Sequence, residues 1–463
     1  MKFKDLLYTL HFVLYAILIA GCATTKIARK PQEYDYRAYL HYSIGAVREC
    51  EGLIDEAIAE YEKALLYASQ ETLIHQYLGI LYDKKGFKDK AFEEFKKSIE
   101  VEPDNPRAHF ILGNFFQNEE KWKEAEKEFK KVIKLSPEYV EAYFSLGTIY
   151  THLEKYRNAV ENYNKVTLIV PDNPIPYYNL GFCYTKLNDN QKAVSCYKKA
   201  AQLDPKWASP YFNLGILYEA NGDTQSALKS WERFIDLNPK DPEPYLRIGY
   251  LYFQINMYDR AIIYMKRALN MDPKREKLFP QVYFLLGIAY TNLHQNKEAI
   301  EVYNKFLELE PKNEIVRYNL SALHDKEGHF EDAVNGFRYL IKINPKCADA
   351  LNYLGYIFAE KGDNLKEAEE LIKSALKIEP NNGYFIDSLG WVYFKMGLYK
   401  EALRELKRAV RFTPNDPIIY DHLGDAYIKN GMEREAISSW QKSLQLQKDN
   451  EEIRKKIREW QGE

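Results

Sequence analysis

The chain is 463 residues long, 46% hydrophobic and 29% charged, and its 65 Lys and Arg against 67 Asp and Glu leave a net charge of -2. That balance excludes the electrostatic footprint of a nucleic-acid-binding surface, and no basic run of the kind that tracks phosphates is present. The composition is globular with one oddity, 38 Tyr that recur at fixed places along the chain.

At the start, Lys2 and Lys4 precede an apolar run from Leu6 to Ala20, the layout of a secretory signal. At about 15 residues the run is short for a membrane span, which needs about 20. It ends in Ile19-Ala20-Gly21-Cys22, which resembles the bacterial lipobox, an aliphatic residue and two small residues before the Cys that receives lipid. The resemblance implies a lipoprotein signal over residues 1–21 and lipid attachment at Cys22; an uncleaved anchor is the alternative. Two or three acyl chains anchor firmly where one holds only marginally. Ala23, where an Asp would favour inner-membrane retention, implies the periplasmic face of an outer membrane in a two-membrane cell. Residues 22–37 are polar, with a helix-discouraging Pro31, and form a tether that reaches about 50 Å when extended.

From there a unit of 34 residues repeats. Pro174 to Trp207 represents it: two amphipathic helices joined at Asn188 to Asn190. Gly45, Gly79, Gly113, Gly147, Gly181, Gly215 and Gly249 follow one another at intervals of 34, and the Ala that opens the second helix keeps the same register from Ala57 to Ala261. Ala299, Ala333, Ala368, Ala402 and Ala436 continue the series to a total of twelve units. A mid-helix Gly costs about 1 kcal/mol relative to Ala, so its recurrence must relieve a steric conflict; the expected one is a close approach of Gly181 to Ala193. Prolines such as Pro205 end the second helices, and Pro174 sits where a first turn tolerates it.

A helix-turn-helix of this length, with Leu-Gly, a Tyr three residues on, an Ala, an aromatic four after the Ala and a terminal Pro, resembles the tetratricopeptide repeat (TPR). The resemblance covers about nine tenths of the chain and implies an all-α fold, an α-solenoid that winds as a right-handed superhelix of about twelve units with a C-terminal capping helix. The expected division is units 1–7 over residues 38–273, an inserted joint at 274–279, units 8–12 over 280–450, and a cap and tail over 451–463. The joint follows from a spacing of 38 between Ala261 and Ala299, and a spacing of 35 between Ala333 and Ala368 places one extra residue near Asp363. Unit nine has Ser321 for the Gly and His324 for the Tyr, which predicts looser packing. In the cap, Ile453, Ile457 and Trp460 fall on one face. The stretch from Asn381 to Gly431 also resembles a wording common in bacterial envelope TPR proteins.

Catalytic motifs are missing: there is no G-x-S-x-G, Walker loop or G-x-G-x-x-G, and neither an enzyme nor a cofactor is expected. His41, His75 and His109 recur every 34 residues, too far apart across packed helices of roughly 8–10 Å separation to share a metal, and read as packing residues. His324 and His329 straddle Gly328 and match no metal spacing, so no metal is expected. Cys183 and Cys196 are offset along antiparallel helices by about 7.5 Å, beyond disulfide reach.

In TPR solenoids the first helices line the concave side, and the positions of Ile175, Tyr178, Phe182, Thr185 and Lys186 face the groove. The Tyr178 position reads Tyr42, Gln76, Phe110, Phe144, Tyr178, Phe212, Leu246, Phe284, Tyr318, Asn352, Asp387 and Asp421 through the units. It is apolar through the middle and turns polar, then acidic, with Asp349, Glu360 and Asp425 adding charge. The candidate partner-binding residues are therefore Phe110, Phe144, Tyr178, Phe182, Phe212, Tyr250, Phe284 and Tyr318 as apolar anchors and Asp387, Asp421 and Asp425 as an acidic end for basic side chains. Packing against neighbouring helices is the competing role for the rings. The expected function is a membrane-tethered scaffold that holds a protein or peptide ligand in the groove during envelope assembly, secretion or export. A carbohydrate-recognising component of polysaccharide export and a homo-oligomeric structural lipoprotein are the alternatives.

Overall fold

Each helix pair starts and stops for local reasons that the sequence carries. At Asn173 the side-chain oxygen accepts the Ile175 amide at 3.0 Å, and Pro174 occupies the first helical position, where its missing N–H costs nothing. The helix ends when Asn188 turns left-handed (φ 59°) and the Asp189 amide folds back to the Tyr184 carbonyl at 2.9 Å. Asp189 then caps the partner helix by accepting the Lys192 amide at 3.2 Å.

The computed structural model describes residues 35–271 and 280–461. The signal, Cys22, nearly all of the tether and the inserted joint at 274–279 lie outside the described residues. Among the described residues there are 25 helices and no strand. The chain forms two compact units that divide after Pro205. The first holds α1 (Tyr36–Cys50), α2 (Ile54–Tyr67), α3 (Thr72–Lys84), α4 (Lys88–Val101), α5 (Pro106–Asn118), α6 (Trp122–Leu135), α7 (Val140–His152), α8 (Tyr156–Ile169), α9 (Pro174–Lys186) and α10 (Asn190–Leu203). The second holds α11 (Ala208–Ala220), α12 (Thr224–Leu237), α13 (Pro242–Gln254), α14 (Tyr258–Met271), α15 (Pro280–Asn292), α16 (Asn296–Leu309), α17 (Glu314–Lys326), α18 (Phe330–Ile343), α19 (Ala348–Lys361), α20 (Leu365–Ile378), α21 (Gly383–Lys395), α22 (Tyr399–Phe412), α23 (Pro417–Lys429), α24 (Glu433–Leu446) and α25 (Glu451–Gln461). Within each unit the helices pair into hairpins, and the second helix of one hairpin packs on the first helix of the next. Each unit is thus an α-solenoid of stacked hairpins, α25 closing the second.

The recurring glycines lie under rings. A Cβ on Gly181 would stand 2.7 Å from the Tyr197 ring, one on Gly147 2.6 Å from Tyr163, and one on Gly113 2.7 Å from Phe129. This corrects the expected approach of Gly181 to Ala193: the residue over the glycine is the aromatic four positions after the Ala. Helical side chains lean toward the N-terminus of their helix, so the ring of Tyr197 covers the surface beside Ala193. Where the covering residue is not aromatic the Ala backbone comes near, as in Gly249, whose Cβ would meet Met265 Cγ at 2.7 Å and the Ala261 carbonyl at 3.3 Å.

The α17–α18 hairpin is not loosened by Ser321. That side chain is 2% exposed and its hydroxyl donates to the Arg317 carbonyl at 2.8 Å. The room it takes is given back across the interface by Gly336 of α18, which has no space for a Cβ beside the Ser321 hydroxyl. In the 35-residue unit the extra residue sits in the turn, where Gly362 (φ 69°) and Asn364 (φ 51°) are both left-handed. On either side of residues 272–279 the hairpins share one core, Ile262 and Met265 of α14 with Val282, Tyr283 and Leu286 of α15. In α25, Ile453 and Ile457 are buried with Ala436 and Trp440, whereas Trp460, expected on the same face, is exposed.

Gly181→Ala is expected to destabilise the α9–α10 hairpin by about 1–3 kcal/mol through overpacking on Tyr197. In an unpacked helix the same change would add about 1 kcal/mol of stability. Hydrogen exchange of the α9 and α10 amides checks the sign, faster exchange in the variant being the expected outcome.

Candidate binding surface

The groove is built on the first helix of each hairpin, where positions Ile175, Tyr178 and Phe182 recur at i, i+3 and i+7 and so share a face. In the middle position, Phe110, Phe144, Tyr178, Phe212, Phe284 and Tyr318 are all half-buried. Each lies against an aromatic of the second helix: Phe110 is 5.5 Å from Phe129, Phe144 5.7 Å from Tyr163, Tyr178 5.4 Å from Tyr197, and Phe212 5.2 Å from Trp231. Phe284 meets Phe306 at 6.2 Å, and Tyr318 meets Phe337 at 5.4 Å. Several of these partners are the rings that cover the glycines, so this row forms the outer layer of the hairpin core and is only partly exposed. Burial pushes the Tyr318 phenol up to about 12.

The more accessible apolar side chains stand in the two flanking positions. Phe182 and Tyr250 are 36% and 48% exposed, and Ile216, one repeat before Tyr250, is 37% exposed. In the Ile175 position, Ile315, Tyr384 and Ile418 are 64%, 56% and 55% exposed. Tyr384 on α21 and Ile418 on α23 are the same repeat position in adjacent hairpins. Following only the Tyr178 position through the chain misses them; the Ile175 position, tabulated in the same way, would have found them.

The acidic end is not an open cradle for basic side chains. Asp387 is 6% exposed and accepts from His422 Nδ1 at 3.0 Å. Asp421 and Asp425 both accept from Lys456 Nζ of α25, at 2.7 and 2.8 Å. Sequence inspection treats these carboxylates as solvated because their partners belong to the next helix pair, 35 residues away for Asp387–His422 and for Asp421–Lys456. Burial opposes the charge on His422, but Asp387, with Asp421 and Asp425 beyond it, outweighs burial and holds its pKa above the ordinary histidine value. Burial likewise opposes the charge on Lys456, and the two carboxylates beside it hold its pKa above the usual lysine value. Burial lifts the Asp425 carboxyl despite that lysine. Trp391 stacks on His422 at 4.0 Å and donates its indole N–H to Glu360. Asp349 stays exposed.

The histidines of the 34-residue register do more than pack. His41, His75 and His109 each place Nδ1 2.6 Å from a carboxylate of the second helix, Glu60, Glu94 and Glu128 respectively. The other nitrogen of His109 lies 2.9 Å from the Pro103 carbonyl. Carboxylate and carbonyl are both acceptors, so the arrangement favours a proton on each nitrogen, and the hydrogen bond that the ring donates to Glu128 raises its pKa against the opposing effect of burial. In later hairpins the same position keeps the bond to the carbonyl six residues earlier, from Tyr245 to Pro239 at 3.4 Å and from Arg317 to Pro311 at 3.0 Å. The matching register of Glu60, Glu94 and Glu128 was available in the sequence as the signal for these pairs.

Cys50, Cys183, Cys196 and Cys347 are free thiols, and burial pushes the Cys196 thiol up to about 11. His324 and His329, whose spacing matches no metal motif, are brought together with Nδ1 atoms 3.4 Å apart and Asp332 beside them.

Because Glu128 raises the folded-state pKa of His109 above 6.5, the pair's contribution is complete below about pH 6.5 and is lost as pH climbs through the raised value. Melting temperatures of the wild type and His109→Gln, measured across that range, are therefore expected to converge as pH rises. Asp387→Ala leaves His422 buried without its carboxylate and is expected to cost about 3–5 kcal/mol. Urea unfolding followed by the fluorescence of Trp391, which stacks on His422, measures it.

Models of the tetratricopeptide repeat match residues 106–139, 147–188, 174–206, 212–277, 280–313, 318–383, 390–431 and 418–450, together more than half of the chain. A TPR repeat-containing protein of Pseudomonas aeruginosa is 31% identical over 117 residues, 25% of this chain and 20% of that protein. The BBSome complex member BBS4 of Bos taurus is 32% identical over 120 residues, 26% of this chain and 21% of that protein. The chain thus spans about a fifth of the length of these curated relatives. Among solved structures, a crystal structure of MamA protein is 26% identical and covers 37% of this chain and 93% of that one, with a TM-score of 0.35. The repeat register, the stacked hairpins and the repeat-model matches agree: the chain belongs to the tetratricopeptide repeat family.

Proposed function

We propose that the protein is a lipid-anchored scaffold at the periplasmic face of a bacterial outer membrane, whose first helices hold an extended or helical segment of a partner in envelope assembly, secretion or export. Tetratricopeptide repeats are protein-interaction scaffolds, and the observation that carries the reading here is the set of large apolar side chains left exposed at groove positions. Tyr384 and Ile418 illustrate it: both are more than half exposed, one repeat apart on neighbouring first helices. Exposed apolar side chains repeated along one face mark a surface that is covered in use, and aromatic anchors dominate the energy of such contacts. In earlier hairpins the half-buried rings of the Tyr178 position, such as Tyr178 beside Phe182 and Tyr318 beside Ile315, supply a stiff floor on which an extended segment can lie.

Anchoring in this reading rests on the signal-like start and on Cys22. None of the described helices is long and apolar enough to cross a membrane. Two or three acyl chains would hold the array firmly and leave it within reach of the tether from the bilayer.

Replacing the half-buried rings does not test the groove cleanly, because Phe144→Ala or Tyr178→Ala also removes a core contact. Tyr384→Ser combined with Ile418→Ser avoids that difficulty. The double variant is expected to keep the wild-type melting temperature and to lose partner capture in native-cell cross-linking on the order of tenfold or more. Unchanged capture refutes the groove. Cys22→Ser is expected to abolish fatty-acid labelling and release the protein from the membrane fraction; retained labelling refutes the anchor.

A further inference from the structure

We propose that His324, His329 and Asp332 form a surface site for a divalent transition-metal cation, with zinc as the best fit. The three side chains meet where the last turn of α17, the turn at Gly328 and the first turn of α18 come together. Gly328 is left-handed (φ 79°), and the chain reverses there so that His324 and His329 face each other. Their Nδ1 atoms are 3.4 Å apart, and one ligand atom from each of the three residues lies within 4.8 Å of the other two.

That separation suits two ligands of one cation better than a hydrogen-bonded pair. An N–H···N bond is strongest near 3 Å, and 3.4 Å is long for it. Tetrahedral zinc with bonds of about 2.0–2.1 Å places neighbouring ligand nitrogens about 3.3–3.4 Å apart, the distance found. The rings are tilted by 50° with centroids 5.6 Å apart, so both nitrogen lone pairs can converge without the rings clashing. Asp332 and His329 are exposed, and a change of carboxylate rotamer in the first turn of α18 closes the remaining gap. Two imidazoles and one carboxylate are a borderline donor set, which favours zinc and its first-row neighbours over calcium or magnesium. Three protein ligands leave the fourth position to water.

The repeat itself argues that His324 is not there for packing. In four other hairpins its position is a Tyr whose phenol donates to a Glu on the second helix of the preceding hairpin, Tyr82 to Glu62 at 2.5 Å, Tyr150 to Glu126 at 2.8 Å, Tyr252 to Glu232 at 3.1 Å and Tyr393 to Glu369 at 3.2 Å. His324 exchanges that tie between hairpins for a neighbour in its own turn. His329 occupies the N-cap position of α18 and makes no side-chain capping bond, so capping does not claim its ring nitrogens.

The test is a titration of the full chain, carried without a polyhistidine tag and stripped with a chelator, with Co2+ and then Zn2+. The expected result is one equivalent of Co2+ bound with the visible absorption of a tetrahedral or five-coordinate centre, bleached by one equivalent of Zn2+. His329→Gln, an exposed substitution that leaves the core intact, is expected to lower affinity at least tenfold, and His324→Gln combined with His329→Gln to abolish it. Asp332→Asn should weaken binding while leaving the two-histidine contribution. Absence of saturable uptake, or uptake unchanged in the double variant, overturns the site.

Discussion

Everything in this molecule depends on a flat ring laid against a helix that has no side chain at that point. The glycine of the first helix removes the Cβ, the aromatic four residues after the Ala of the second helix leans back into the space, and the two helices are fixed at a distance set by the thickness of a ring. The cost of a mid-helix glycine is about 1 kcal/mol, and the packing of a large buried side chain exceeds it. Where the ring is replaced, the pair adjusts by another close contact, Met265 over Gly249 and Leu406 over Gly390; where Ser321 replaces the glycine, Gly336 across from it makes the room.

The groove inherits its character from that contact. Since the Tyr178-position rings rest on the rings that cover the glycines, the surface offered to a partner is the back of the core. Such a floor is rigid, which lowers the entropy lost on binding. It also ties recognition to stability, so the freedom to vary ligand contacts falls to the flanking positions held by Phe182, Tyr250, Tyr384 and Ile418. Those side chains stand further out of the core than the rings of the Tyr178 position.

The fold was legible in the sequence because its signals are local and periodic. A glycine at intervals of 34, an Asn or Asp before a Pro, and a terminal Pro after most second helices each act within a few residues. The partner of the glycine was not legible, because it depends on the direction in which a helical side chain leans rather than on its place in the register. The exposed acids were misread for a related reason. Asp387 meets His422 one repeat later, and Asp421 and Asp425 meet a lysine from a helix that is not a repeat at all. The His–Glu pairs occupy a middle ground: a spacing of 19 links His41 to Glu60, His75 to Glu94 and His109 to Glu128, and both columns are in the register. The meeting of His324 with His329 needs the geometry of the turn, which spacing alone does not supply.

Lys456 has a consequence for how the last hairpin can be approached. It lies at 2.7–2.9 Å from three carboxylate oxygens of α23 and is held there by a helix whose only buried side chains are Ile453 and Ile457. A cationic side chain arriving from outside meets a resident competitor of the same charge, tethered at high effective concentration. Occupation of Asp421 and Asp425 by any other cationic group therefore entails displacing the Lys456 ammonium, and the event would register as an exchange of one cation for another rather than as the filling of an empty place.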